Sequence, residues 1–298
     1  MAEQMATLSN GIEICYETFG DANDPAVLLV MGLGGPMGWW ATDLCTMIAD
    51  RGHFVIRYDN RDTGRSTKFR EHHVSTRDIV RAFLGQKVET AYKLSDLADD
   101  GFGLLDQLGI KHVNLVGVSM GGMVIQTMAI ARPERVLSLT SIMSTTGKRS
   151  VGRSHPKVFP MMLSSAGNTV DSYIERSLKG SKVIGSPGFP TDDSIASARA
   201  RETYQRGWMA SGVSRQMIAV LTQPDRTEAL RGLDIPSTVI HGTHDILVNP
   251  SGGRATSAAI RGSELISVSG MGHDLPVQLH QTFTDAITRT AARAAARS

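Results

Sequence analysis

Ser119 stands in Gly117-Val118-Ser119-Met120-Gly121, and two residues able to complete a proton relay follow it: Asp245 in Gly242-Thr243-His244-Asp245 and His273 in Gly270-Met271-Gly272-His273. A serine hydroxyl is a weak nucleophile near neutral pH and needs a base, usually a histidine that a carboxylate orients. The Gly-x-Ser-x-Gly spacing suits that task. A serine at a sharp strand-to-helix bend is strained and holds its Oγ out of the sheet, and the residues two places to either side must be small. Met120 then offers its amide at a helix start, where partial positive charge gathers. The chemistry predicted is acyl transfer, with Ser119 attacking, His273 taking its proton and Asp245 orienting the imidazole. The tetrahedral intermediate carries an oxyanion best held by two amides. Met120 is one expected donor; Leu33, in Gly32-Leu33-Gly34-Gly35, is the other.

These roles demand elements that deliver the residues to one place. Residues 113–118 form an apolar, β-branched run and 120–131 a helical pattern, so the serine falls at their junction. Ligands of open α/β sheets bind outside the carboxyl ends of the strands, so the serine's partners must lie just after strands. Residues 237–241 and 264–268 read as strands, and Asp245 and His273 follow them. The strand at 136–142 is followed by Met143-Ser144-Thr145-Thr146, which offers no carboxylate. His244 adjoins the acid and cannot easily also face Ser119, His241 reads as a structural strand-end residue, and His112 precedes its strand at the wrong end. His72, His73 and His155 fall in unassigned loops. The polar run from Asp59 to Ser66 reads as a hydrogen-bonded scaffold behind the oxyanion loop rather than a carboxylate dyad or phosphate loop.

The remaining chain alternates in the same way. Residues 5–9 and 12–18 flank Asn10-Gly11, a hairpin signal. Residues 26–31 and 54–58 read as strands, 39–50 as a helix, and 68–90 carry no firm assignment. Ser95 is the expected cap of a helix to about residue 108, with Asp96 and Asp99 in its first turn and Gly109 ending it, and 277–291 is the expected final helix. Strands alternating with long helices imply a mostly parallel sheet. After Thr146 the pattern changes. Residues 147–233 are punctuated by proline and glycine, carry helical stretches at 170–178, 194–207 and 213–221, and show no clear strand. The expected organisation is a core from 1–146 and 234–298 interrupted by a helical cap at 147–233. Met161, Met162, Phe189, Trp208, Met209 and Met217 read equally as a greasy pocket wall or as cap packing.

Composition fits this plan. A chain of 298 residues with 41% hydrophobic and 20% charged residues suits one large domain with an insertion. Net charge is +2 without a dense basic block, which argues against a nucleic-acid partner. No secretory signal pattern or long apolar span is present, so a cytoplasmic location and no membrane span are expected. Cys15 and Cys45 lack metal-ligand spacing and read as buried thiols; neither a metal nor a cofactor is called for.

Met31-Gly32-Leu33-Gly34-Gly35, the run from Tyr58 to Ser66, Gly117 to Gly122, Gly242-Thr243-His244-Asp245 and Gly272-His273, in that order, resemble the α/β-hydrolase superfamily over nearly the whole chain. The resemblance implies a mostly parallel α/β sheet flanked by helices, with an inserted helical cap and a cofactor-free ester hydrolase activity. Met31-Gly32 departs from the His-Gly common in the superfamily. With the Asp-Asn-Arg-Asp-Thr-Gly-Arg-Ser loop, it is similar to a subgroup of bacterial carboxylesterases, mycobacterial esterase/lipase proteins and aclacinomycin methylesterases. Haloalkane dehalogenases and many epoxide hydrolases carry Asp where this chain has Ser119, which disfavours their chemistry. The expected substrate is a small to medium, apolar ester. The same triad also serves perhydrolases, cofactor-free haloperoxidases, lactonases and non-turnover receptors, which spacing does not separate.

Overall fold

The computed structural model of the protein describes residues 2–163 and 169–297. Eight strands form one sheet in the order β1-β2-β4-β3-β5-β6-β7-β8. They are β1 (Gln4–Thr7), β2 (Glu13–Phe19), β3 (Ala26–Val30), β4 (Phe54–Tyr58), β5 (Val113–Val118), β6 (Val136–Ile142), β7 (Ser237–Gly242) and β8 (Glu264–Val268). β1 pairs antiparallel with β2 and β2 with β4, while every later pairing is parallel. The Asn10-Gly11 hairpin therefore forms the antiparallel edge, and the sheet is mostly parallel as expected.

Period-2 alternation splits the core in two. Leu28 and Leu115 face one side, against Leu97 and Phe102 of α3 (Leu94–Gln107) and Ile125 of α4 (Met120–Ala131). Val27, Leu29 and Val116 face the other, against Leu44 and Ile48 of α1 (Thr42–Ala49) and Phe283 and Ile287 of α11 (His280–Ala295). All five residues of β3 and all six of β5 are buried, which is why these strands read as continuous apolar runs. β8, at the edge, alternates between intermediate and exposed.

Several elements differ from expectation, among them α1, which starts at Thr42 rather than 39, and the final helix, which starts at His280 rather than 277. Residues 68–90 contain α2 (Thr76–Phe83), held by a capping box in which Ser75 Oγ accepts from Asp78 N–H and Asp78 accepts from Ser75 N–H. α3 starts at Leu94, so Ser95 lies inside it; the orphan amide of Lys93 donates to Asp96 at 2.7 Å and no hydroxyl cap is used. α10 (Ser251–Ala259) follows β7, where Ser-Gly-Gly gave no helical signal. Between β6 and β7 lie α5 (Phe159–Leu163), α6 (Val170–Ile184), α7 (Asp193–Gln205), α8 (Ala210–Leu221) and α9 (Thr227–Arg231), and no strand occurs there among the described residues. No helix of the described residues is long and apolar enough to cross a membrane.

Candidate active site

β5 ends at Val118 and α4 begins at Met120, leaving Ser119 alone at the bend with φ 55° and ψ −117°. That positive φ is the strain the motif requires of a non-glycine residue. The flanking glycines are there for space. A Cβ on Gly117 would lie 2.3 Å from the carbonyl oxygen of Gly121, and one on Gly121 would lie 2.0 Å from that of Val30. The second collision is with the neighbouring strand, not with the turn itself. Ser119 N–H donates to Ile142 O at 2.9 Å, and Ser144 Oγ donates to Ser119 O at 2.7 Å, so β6 locks the bend.

His273 and Asp245 arrive as their strand ends predict. His273 Nε2 lies 3.0 Å from Ser119 Oγ, and its Nδ1 lies 2.8 Å from Asp245 Oδ2. Burial pushes the Asp245 carboxyl up, but the charge of His273 and hydrogen bonds from His241 and His273 outweigh it and hold the group well below the ordinary carboxylate range. An ionised carboxylate only accepts, so the Nδ1 proton belongs to His273 and Nε2 is free to accept from the serine. Asp245 Oδ1 is fixed by the amides of Leu247 and Val248 at 3.0 and 2.9 Å. His241, read as structural, is buried at the strand end with Nε2 2.8 Å from Val248 O and 3.2 Å from Asp245 Oδ2.

The loop after β3 closes over the serine. A Cβ on Gly32 would sit 3.2 Å from Ser119 Cβ. Gly35 N–H donates to Gly32 O at 3.2 Å, and because a trans peptide points its C=O and N–H in opposite directions, Leu33 N–H is aimed away from that turn. Gly34 N–H is taken by Gln216 Oε1 at 2.8 Å, whereas Leu33 N–H has no partner among the described residues. Met120 is the first residue of α4, so its amide has no intrahelical acceptor. Leu33 and Met120 are thus among the amides of this region with no acceptor among the described residues. Behind them the run from Asp59 to Ser66 is the expected scaffold: Asn60 Nδ2 donates to Met31 O and Met37 N–H donates to Asp59 Oδ1.

Sequence reasoning missed the side chains that reach down from the helices between β6 and β7. Buried Gln216 on α8 also donates from Nε2 to Arg61 O and Thr63 Oγ1, each at 2.8 Å. Ser186, just past α6, accepts from Gly272 N–H at 2.8 Å and donates to Asp274 Oδ1, bracketing His273 on both sides. His273 N–H itself donates to Ile184 O at 2.7 Å. Ser186 lies in Gly185-Ser186-Pro187-Gly188, which reads from sequence as punctuation alone. Of the apolar residues singled out above, Trp208 stacks with Tyr173 and Tyr204, and Phe189 packs against the core, so both serve packing. The side chain of Met162 lies outside the described residues. A cavity of about 750 Å³, lined in part by Lys93, Thr127, Gln223 and Arg226, does not include Ser119, Asp245 or His273.

Residues 25–278 match the family model described as alpha/beta hydrolase fold. The chain belongs to the α/β-hydrolase family. Rhodomycin D methylesterase DauP of Streptomyces sp. (strain C5) is 26% identical over 297 residues, spanning 93% of this chain and 94% of that protein. The bifunctional esterase/perhydrolase DCH of Acinetobacter calcoaceticus is 23% identical, spanning 93% and 95%. Among solved structures, the enol-lactonase of Burkholderia xenovorans LB400 superposes with a TM-score of 0.73 at 22% identity, covering 97% of this chain and all of that one. This α/β-hydrolase is an enzyme of the hydrolase class.

Proposed function

We propose that this α/β-hydrolase is a serine carboxylic ester hydrolase, with Ser119 as nucleophile, His273 as general base and acid, Asp245 as the orienting carboxylate, and Leu33 and Met120 amides as the oxyanion hole. What carries the reading is the continuous hydrogen-bonded line Ser119 Oγ, His273, Asp245, built from the ends of three different strands. The methylesterase and esterase names of full-length relatives support it. In the first half-reaction Ser119 Oγ attacks the ester carbonyl as its proton passes to His273 Nε2. The carbonyl oxygen gains charge between the two amides, and the imidazolium is stabilised by Asp245. Collapse expels the alcohol, which takes the proton from Nε2 and leaves an acyl-serine. Water, deprotonated by the same Nε2, attacks the acyl carbon; the acid departs and Ser119 regains its proton. The segment 147–233 acts as a cap whose Gln216 and Ser186 hold the oxyanion loop and the histidine loop.

The test is covalent labelling with a fluorophosphonate, read by intact mass, followed by turnover of p-nitrophenyl esters of increasing acyl length. One adduct on the wild type and none on Ser119→Ala, with multiple turnovers, is the expected result. An adduct that persists in Ser119→Ala, or labelling without turnover, sinks the assignment.

A further inference from the structure

Cationic side chains at or near the junction of the 147–233 segment with the sheet are matched to carboxylates. Arg215 pairs with Asp62, Arg206 with Asp59 and Glu3, and Arg61 with Asp100. Arg199 on α7 is not. Its Cζ lies 5.6 Å from the centroid of the Trp39 ring, and no described residue accepts a hydrogen bond from its guanidinium. Two carboxylates are in its neighbourhood. Glu202 is one turn further along α7 and Asp274 is on the histidine loop, yet neither makes an ion pair with it, and Asp274 Oδ1 already accepts from Ser186. The side chain is partly buried, and burial bears on the charged form. A partly desolvated guanidinium has five N–H donors, and here no described residue accepts from them.

Its position relates this deficit to the chemistry. Trp39 packs on the oxyanion loop, where a Cβ on Gly35 would lie 2.8 Å from its ring, and it is fixed from α7 by a hydrogen bond of its Nε1 to Thr203 Oγ1 at 2.9 Å. Arg199 and Thr203, one turn apart, both address this indole. Asp274, whose charge Arg199 feels, directly follows His273. The guanidinium is thus linked through the Trp39 indole to the loop that carries Leu33, and by charge to the loop that carries His273. An indole face beneath a guanidinium orients its planar fork, and that fork matches a carboxylate in bidentate fashion.

We propose that Arg199 is the recognition site for a free carboxylate on the substrate, so that the enzyme's preferred esters carry an acid group besides the ester that is cleaved. This rests on the serine-esterase reading above and narrows it from apolar esters to half-esters and related acids. The carboxylate can lie in either half of the substrate, acyl or alcohol, and the two are separable by experiment.

The measurement is kcat/KM for two matched pairs: monomethyl against dimethyl glutarate, with the acid in the acyl half, and acetoxyacetate against its methyl ester, with the acid in the alcohol half. Each is run with wild type, Arg199→Met and Arg199→Lys. The readout is the acid-to-neutral ratio within each protein, so a general loss of activity cancels. The expected result is a ratio that falls roughly 10- to 100-fold in Arg199→Met for at least one pair, with Arg199→Lys retaining part of it. The responding pair identifies the half that carries the acid. Ratios unchanged in Arg199→Met for both pairs overturn the proposal. Inhibition of wild-type p-nitrophenyl acetate hydrolysis by glutarate but not by glutaramide is expected as well and needs no variant; equal inhibition by the two also overturns it. Fluorophosphonate labelling in the same series keeps the two readings apart. Labelled Ser119 with unchanged ratios removes the carboxylate site alone, and unlabelled wild type removes the esterase.

Discussion

Ser119 sits at a positive φ that its surroundings impose, so alanine at this position keeps the bend and deletes only the hydroxyl. Ser119→Ala is therefore expected to lower kcat toward p-nitrophenyl esters by about 10⁴-fold or more while KM moves little; residual activity within tenfold of wild type would exclude the hydroxyl as nucleophile. Asp245 has a different signature. Its carboxyl is held below its ordinary value in the fold, so its contribution to stability is complete above the unfolded pKa of about 4 and fades as pH falls toward the folded value. Thermal melts of wild type should lose stability below about pH 4, and Asp245→Asn should flatten that loss. The same variant should cut kcat by about 10⁴-fold, because an amide beside Nδ1 favours the wrong tautomer. Ser119, Asp245 and His273, which the structure brings into one hydrogen-bonded line, could be picked out because each lies at or within five residues of the end of a strand whose run is plain in sequence. Ser186 and Gln216 were not: their contacts to the catalytic loops span 88 and 182 positions, and no local spacing encodes such a reach.

Among the elements, those buried on both faces or carrying a strong period could be read almost to the residue. β5, β6, β8 and α4 have the expected bounds, while α2, α5, α9 and α10 went unread. The signal for α2 was present as Ser75-Thr76-Arg77-Asp78, but its helix is amphipathic with only Ala82 buried, so the apolar stripe was faint. α10 opens with Ser251-Gly252-Gly253, and small residues are needed there because a Cβ on Gly253 would lie 2.4 Å from His241 Nδ1. Packing overrode propensity at that site. The contact of α8 with the oxyanion loop makes a prediction of its own. Gln216→Leu leaves Gly34 N–H, Arg61 O and Thr63 Oγ1 unpaired in a buried place, which frees the loop that carries Leu33. A fall in kcat of roughly 10- to 100-fold with a smaller change in KM, and a parallel loss of affinity for a phosphonate transition-state mimic, is expected. Equal weakening of substrate and mimic would point to a general packing defect.

At the scale of the whole molecule, the question is whether the cap is a hinged lid or a fixed part of the active site. Proline and glycine punctuation suggests limits at 147 and 233 for this proposed cap, but the attachment of the segment depends on tertiary pairs that no sequence pattern displays. Those pairs are numerous and buried: Arg215 clasps Asp62 through Nε and Nη2 at 2.7 and 2.8 Å, and Arg206 reaches Asp59 at 2.9 Å. Burial raises the Asp62 carboxyl, yet the bonds from Arg215 and Tyr92 hold it low, so the pair stays charged at neutral pH. Such pairs add little net stability over apolar substitutes, but removing one partner strands a buried charge and costs about 3–5 kcal/mol. Asp62→Asn should therefore lower the unfolding free energy of the whole chain by about that amount rather than release the cap alone. Cys15 provides the reporter. It is buried beneath the cap, Arg206 Nη2 lies 3.4 Å from its Sγ, and burial with the nearby Asp59 pushes its thiol up to about 12. Lifting the cap would take Arg206 away and expose Cys15, whereas Cys45, in α1 and packed within the core cluster of Leu44 and Ile48, would stay covered. With a cap that is part of the site, both thiols should react with a disulfide reagent at pH 8 only as urea unfolds the protein, at one midpoint shared with circular dichroism. Selective labelling of Cys15 at lower urea would instead show a lid that opens while the core stays folded, and Gln216 and Ser186 would then set the rate of access as well as the geometry of the site.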